Sequence, residues 1–337
     1  MTKPTDQASA VVTLTGLLSA AYLPRAIQVA ARLGLGRMLS RGPASIAEIA
    51  RRAAVDPTAL AKLLRLLAEN GIGRELDDGR FASTDLSDHL HLIDHAGSGD
   101  EIWHTWSGLL GALRSGKPPF EEVHGAGFFE LVARDVERQA NWNDWNTVTG
   151  ASWLPPIVDA LELRGTETIV DVGGGQGNLL AEILSRFDGC QGILVDLPSV
   201  VAGAPAMLAT RGVSERCEIV GGDAFAQVPS GGDVYSLCRV LFNWSRERRV
   251  RLLQSCGEAM GGTGRLLVVE MMMPEVGDPA RKRLAAMDLH LWLTWGGGIP
   301  TRDEWNALFS DGGFELVRVS EPPTPALPWR VFEGTPK

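Results

Sequence analysis

Val170-Asp171-Val172-Gly173-Gly174-Gly175-Gln176-Gly177-Asn178 is the stretch on which the reading of this chain turns. A short apolar strand carrying an acidic residue runs into three consecutive glycines and then into a helix that starts near Asn178. Glycine alone accepts the backbone conformations of such a turn at no steric cost and lets a ligand lie close to the main chain. Nineteen residues beyond Gly177, the next apolar stretch, Ile193-Leu194-Val195, ends at Asp196. A carboxylate at that place accepts both hydroxyls of a ribose, so the pattern predicts an adenosine-type ligand. The third glycine of the G-x-G-x-x-G dinucleotide fingerprint is replaced by Asn178, which disfavours a pyrophosphate-bearing nicotinamide cofactor.

Outward from this run, strands predicted at Thr168–Val172 and at residues 192–196, 217–220, 233–239 and 265–270 alternate with helical stretches. That alternation specifies an α/β fold, a Rossmann-like doubly wound and mostly parallel sheet. Residues 314–319 and 329–332 are expected to pair as an antiparallel edge, with a helix before them capped by Thr301 and Glu304.

The spelling D-V-G-G-G-x-G resembles the first motif of class I methyltransferases that use S-adenosylmethionine. Gly222-Asp223-Ala224-Phe225, Arg239-Val240-Leu241-Phe242-Asn243-Trp244 and Val268-Val269-Glu270 follow in the order found in the plant and bacterial small-molecule O-methyltransferase family. The resemblance extends from about residue 17 to residue 332. It implies S-adenosyl-L-methionine as cofactor, with Asp171, Gly173 and Gly175 at the loop that receives its methionine end and Asp196 on its ribose. Asp223 is expected at the adenine amino group, Phe225 against the adenine ring and Arg239 near the nucleoside. A homodimer formed through the N-terminal domain, a small-molecule acceptor and a place in secondary metabolism are implied as well.

The 337 residues suit more than one domain, and 45% hydrophobic with 22% charged residues is ordinary for a globular enzyme. A net charge of -9 opposes nucleic acid or an anionic membrane as the main partner. No stretch reads as a membrane span and residues 1–10 are polar, so a cytoplasmic protein is expected. Cys190, Cys217, Cys238 and Cys256 are far apart and form no C-x-x-C pair, which suggests neither a zinc ribbon nor a redox dithiol. Asp88-His89-Leu90-His91-Leu92-Ile93-Asp94-His95 resembles the H-x-H-x-D-H signature of metallo-β-lactamase hydrolases, but it has one residue too many before Asp94, and no metal is expected there.

Residues 1–100 read as a winged-helix dimerisation domain. Helical spacing over residues 9–40 is broken at Pro24 and stopped at Gly34-Leu35-Gly36; Ser45 and Glu48 form a capping box, Asp56-Pro57 starts a further helix, and residues 72–82 turn as a hairpin. A winged helix raises a second class of function, a ligand-responsive transcription regulator. The helix that would enter the major groove offers Lys62 and Arg65 but no polar row for base edges, which favours a protein partner. Residues 101–160 read as a helical linker dense in aromatics that contributes to an acceptor pocket, and residues 161–337 as the cofactor-binding catalytic domain. The resemblance places Trp142, Asn143 and Asn146 in that pocket.

The chemistry departs from the family. Its proton-abstracting His in a V-L-H-D-W segment corresponds to Phe242, and the neighbouring acid to Asn243. A second supporting carboxylate falls at about Ile299, which leaves Glu270. A phenol with its ordinary pKa near 10 must lose a proton before methylation. Loss of the whole apparatus therefore points to an acceptor that needs no strong base, with carbon methylation of a small aromatic favoured. Oxygen or nitrogen methylation with a relocated base or an ionised acceptor remains open, and so does a non-methylating enzyme that binds S-adenosylmethionine. His290 is the candidate relocated base, and Phe242, Met287, Trp292 and Trp295 are the further candidates for an apolar, ring-binding cavity.

Overall fold

The computed structural model describes residues 4–94, 99–323 and 328–337, with side chains from residue 8 onward. The chain divides into two compact units, residues 1–103 with 134–145 and residues 104–133 with 146–337. The stretch 101–160 is thus shared between the units.

The first unit opens with α1 (Pro4–Ser19), α2 (Tyr22–Arg32) and α3 (Leu35–Leu39), followed by α4 (Ile46–Ala53) and α5 (Pro57–Glu69). Both expected caps form. The Ser45 hydroxyl accepts from the Glu48 amide while Glu48 accepts from the Ser45 amide, and Asp56 accepts from the Ala59 amide with Pro57 at the first helical position. The wing is β1 (Arg74–Glu75) paired antiparallel with β2 (Phe81–Ala82), and Ala44 bridges to Phe81 on its other side. Leu35, Leu39, Ile49, Leu60, Leu64, Leu67 and Phe81 pack as one core. His89 and His91 turn their Nδ1 atoms to the carbonyls of Asp85 and Asp88, and His95 lies outside the described residues.

Two sequence expectations change here. Pro24 lies in the first turn of α2 and does not break it; the interruption falls at Ala20-Ala21, since a proline is tolerated where no intrahelical partner is needed for its nitrogen. The stretch Ala8–Arg32 is long and apolar enough to match a membrane span by length and composition. Along α1, Val11, Val12, Leu14, Leu17 and Leu18 are all exposed on the isolated chain.

The second unit carries β3 (Thr168–Val172), β4 (Gln191–Asp196), β5 (Cys217–Gly221), β6 (Val234–Cys238), β7 (Arg265–Met271), β8 (Phe314–Val319) and β9 (Trp329–Pro336) in one sheet, ordered β5-β4-β3-β6-β7-β9-β8. The first five strands are parallel, and β9 pairs antiparallel with both β7 and β8. Successive residues of a strand face opposite sides. Accordingly Ile169, Leu267 and Val269 join one apolar layer, with Leu180, Leu184 and Ile157, while Val170, Leu266 and Val268 join the other, with Leu252, Trp305 and Phe309. Strand order reverses between β3 and β6, so a crevice opens beyond the carboxyl ends of the strands at that point.

Candidate active site

The glycine loop leaves β3 and enters the helix Asn178–Arg186, with Gly177 as its N-cap. Gly173, Gly175 and Gly177 have φ of 70°, 65° and 86°, the left-handed region that a side chain disfavours. The glycines serve different ends. A Cβ on Gly173 would stand 2.9 Å from Val240 Cγ2, and one on Gly174 only 2.4 Å from Asp171 Oδ2, whereas one on Gly175 would meet nothing within 4 Å. Gly173 is therefore constrained by packing against Val240, whereas Gly175 borders open space.

Asp196 closes β4 with its carboxylate held by two backbone amides. Gly175 N donates to Oδ2 at 2.8 Å and Leu197 N donates to Oδ1 at 2.7 Å. Each oxygen keeps a lone pair, so a diol can still be accepted by both. Burial pushes its pKa up, against the pull of those two amides. Asp171 is fully buried: Ser236 Oγ donates to Oδ1 at 2.7 Å, Oδ2 has no partner among the described residues, and burial pushes the carboxyl up to about 7.

Beyond β5, Asp223 is exposed and accepts the Phe225 amide at 2.9 Å. Phe225 meets Trp244 edge to face, with centroids 5.0 Å apart, and the guanidinium of Arg248 covers both rings. Beyond β6, Arg239 takes a left-handed φ of 59°. Its guanidinium lies 5.3 Å from the Trp153 ring and 5.2 Å from the Trp329 ring, donating to Asn146 Oδ1 at 3.1 Å. This is no solvated surface arginine, and burial lowers its pKa. Asn243 donates to the Arg239 carbonyl at 3.3 Å, which bonds its amide to the strained turn of Arg239.

Phe242 stands in a segment fixed from two sides. Its amide donates to Glu270 Oε1 at 3.2 Å, and its carbonyl accepts from Gly298 at 3.2 Å. A Cβ on Gly297 would lie 1.7 Å from that carbonyl, which explains why glycines precede Ile299. Arg249, a buried cation, ties the two strands of chain together by donating to the Trp244 carbonyl at 2.7 Å and to the Gly298 carbonyl at 2.8 Å. In the sequence Arg249 sits in Arg246-Glu247-Arg248-Arg249 and reads as part of a solvated face; only the tertiary fold distinguishes it. Ile299 is buried with Met271, Leu284 and Leu291, and its amide donates to Asp288 Oδ1 at 2.6 Å. Glu270, 1% exposed, supports the backbone of Phe242 through one oxygen; the other has no partner among the described residues, and burial pushes the carboxyl up to about 7.

Phe242 packs with Trp295, Met273 and Trp329 on this apolar cluster. The helix Pro279–Trp295 distributes the other candidates unevenly. Trp295 contacts Phe242, Phe128 and His290. Met287 is 41% exposed on the second unit, and neither it nor Trp292 is among the residues of the cluster. His290 accepts at Nδ1 from the Trp106 indole at 3.3 Å, and burial pushes it down to about 4. Nothing in the sequence sets Trp106 apart from the other aromatics of residues 101–160. Trp142 and Asn143 belong to the first unit, where Trp142 stacks on Trp145 at 5.6 Å.

Comparison with known proteins agrees with this fold. Residues 106–315 match the family model of the O-methyltransferase domain, and residues 15–92 match the O-methyltransferase dimerisation domain. The chain is 32% identical to a phenazine O-methyltransferase, PhzM, of Lysobacter antibioticus, over 91% of each chain. It is 31% identical to a phenazine-1-carboxylate N-methyltransferase of Pseudomonas aeruginosa, over 92% of this chain and 93% of the relative. The solved structure of CalO1, a methyltransferase in calicheamicin biosynthesis in its S-adenosylhomocysteine-bound form, superposes with a TM-score of 0.76 at 30% identity and covers all of both chains. The chain therefore belongs to the O-methyltransferase family of secondary metabolism, as a methyltransferase dependent on S-adenosylmethionine.

Proposed function

We propose that this methyltransferase acts on a small aromatic acceptor at an atom that is already nucleophilic, so that no enzymic base is needed. The observation that carries this reading is Phe242. It occupies the position of the family's histidine, its backbone is pinned through both amide and carbonyl, and its ring packs on Trp295. Such a segment is rebuilt around an apolar side chain. The remaining candidates are poorly placed for proton abstraction: Asn243 is engaged with the Arg239 carbonyl, His290 has its Nδ1 lone pair occupied, and Glu270, 1% exposed, holds the Phe242 amide with one oxygen and keeps the other buried.

In this reading Gly175 leaves room along the loop for the methionine end of the cofactor, and Asp196 holds the ribose hydroxyls. Asp223 accepts the adenine amino group and Phe225 offers its ring to adenine. Arg239, stacked between Trp153 and Trp329, braces the floor where the nucleoside end meets the acceptor pocket. S-adenosylmethionine supplies an electrophilic methyl on its sulfonium. The protein's task is to exclude water and hold the acceptor atom in line with that methyl. The apolar cluster of Phe242, Trp295, Met271 and Ile299 suits a flat ring. The exposed apolar row of α1 and the matched dimerisation domain support a homodimer through the N-terminal unit.

Arylamine or ring nitrogen, activated ring carbon and pre-ionised oxygen all satisfy the condition. Carbon, favoured on the missing histidine alone, has no counterpart in the two relatives named above, which are an O- and an N-methyltransferase. The test is to supply methyl-labelled S-adenosylmethionine with arylamine, activated-ring and phenolic acceptors and to locate the label by mass spectrometry and NMR. Label on nitrogen, carbon or an oxygen already ionised at the assay pH supports the reading; efficient labelling of a neutral phenol contradicts it.

A further inference from the structure

The geometry points to His290 and Trp295 as a pair of neutral hydrogen-bond donors that select an acceptor bearing a carbonyl oxygen on or beside its ring, such as an aryl ketone or quinone. The inference rests on the methyltransferase reading only in taking the guest to be the methyl acceptor.

The tautomer of His290 follows from its neighbour. An indole N–H donates and never accepts, so the 3.3 Å contact from Trp106 Nε1 requires Nδ1 of His290 to be the acceptor. A neutral imidazole then carries its proton on Nε2, which makes that nitrogen a donor and removes it as a base. The two rings are nearly parallel, at 8°, with centroids 6.3 Å apart. Trp295 meets the imidazole edge to face at 5.6 Å and 79°. Burial keeps the ring neutral across the physiological range. Nε2 makes no hydrogen bond to the described residues.

Trp295, whose ring meets that of His290, adds a second donor beside it. Its Nε1 is buried and has no partner among the described residues, although an unsatisfied buried N–H is costly and tends to mark a missing guest. Around these donors stand Phe242, Phe128 and Trp106. Among the described residues no cation stacks on His290 or Trp295, and the carboxyl of Glu270 accepts the Phe242 amide with one oxygen and leaves the other unpartnered. Neutral donors in an aromatic cage, with a carboxyl on the Phe242 amide, accept a neutral carbonyl oxygen and oppose an anion.

The test is binding, independent of turnover. Equilibrium dialysis of the full chain, with and without S-adenosylhomocysteine, compares 2-acetylnaphthalene, 2-ethylnaphthalene and 2-naphthoate; the first two differ by one C=O in place of CH₂. The ketone should bind about 5- to 10-fold more tightly than the hydrocarbon, the range of one or two neutral hydrogen bonds. His290→Leu should erase the preference, and His290→Gln, whose amide also donates, should keep most of it. Equal affinity for ketone and hydrocarbon, an undiminished preference in both His290→Leu and Trp295→Phe, or tighter binding of the naphthoate would overturn the inference. Failure to bind S-adenosylhomocysteine would instead strike the methyltransferase reading, and the ketone comparison without it would still decide this one. Variants are taken as folded when their S-adenosylhomocysteine affinity matches the native chain.

Discussion

In the proposed cofactor site the central residue is Asp196, whose carboxylate is aimed by two backbone amides that leave each oxygen a free lone pair. Asp196→Ala should weaken S-adenosylmethionine binding at least tenfold, since hydrogen bonds to a charged group contribute ~1.5–3 kcal/mol. Unchanged affinity by calorimetry would remove Asp196 from the site. Asp171 also bears on stability. Burial pushes its carboxyl from 3.8 up to about 7, so between those values the unfolded chain has released a proton that the folded chain keeps. Stability contributed by this group is therefore lost as pH rises through that window. Asp171→Asn, which keeps an acceptor for Ser236, should show a smaller drop in Tm between pH 5 and pH 8 than the native chain. Thermal melts with identical pH slopes would refute that assignment. At this scale much was legible: the glycine run, Asp196 and the substitution by Phe242 can be read directly. The polarity of His290 was not, because it depends on Trp106, distant in sequence, and on which ring nitrogen faces it.

Among the elements, the β3 loop shows how packing and binding divide a single motif. Gly174 is closed off by Asp171 Oδ2 at 2.4 Å and Leu194 Cδ1 at 2.6 Å, while Gly175 opens outward. Gly174→Ala should therefore lower stability by about 1–3 kcal/mol through overpacking and loosen cofactor binding with it. A variant with native Tm and native cofactor affinity would show that the loop yields without cost. Strand positions were legible because period and punctuation are local: β3 and β8 fall where the pattern put them, and the caps at Ser45, Asp56 and Thr301 all form. The register of β9 was not. Its pairing reaches Pro336 beside β8, an extent set by the neighbouring strand and not by its own residues. The helix Pro279–Trp295 teaches the same lesson: its aromatic content was evident, but Trp295 joins the Phe242 cluster and Trp292 stays outside it.

For the whole molecule, the exposed row Val11, Val12, Leu14, Leu17 and Leu18 is larger than a lone chain leaves to water without reason. A chain lacking residues 1–100 should aggregate or lose activity, whereas the full chain should sediment as a dimer; a truncated, active monomer in analytical ultracentrifugation would contradict that assembly. The central claim is methyl transfer without an enzymic base, and it is decided by comparing the native chain with Phe242→His on a neutral phenol and on an arylamine, at saturating S-adenosylmethionine. Base-free catalysis predicts that the histidine raises turnover on neither acceptor and lowers it by setting a polar ring among Trp295, Met273 and Trp329. An increase on the phenol approaching the ~10²–10⁴-fold contribution of a positioned base would show instead an ordinary O-methyltransferase that has lost its histidine.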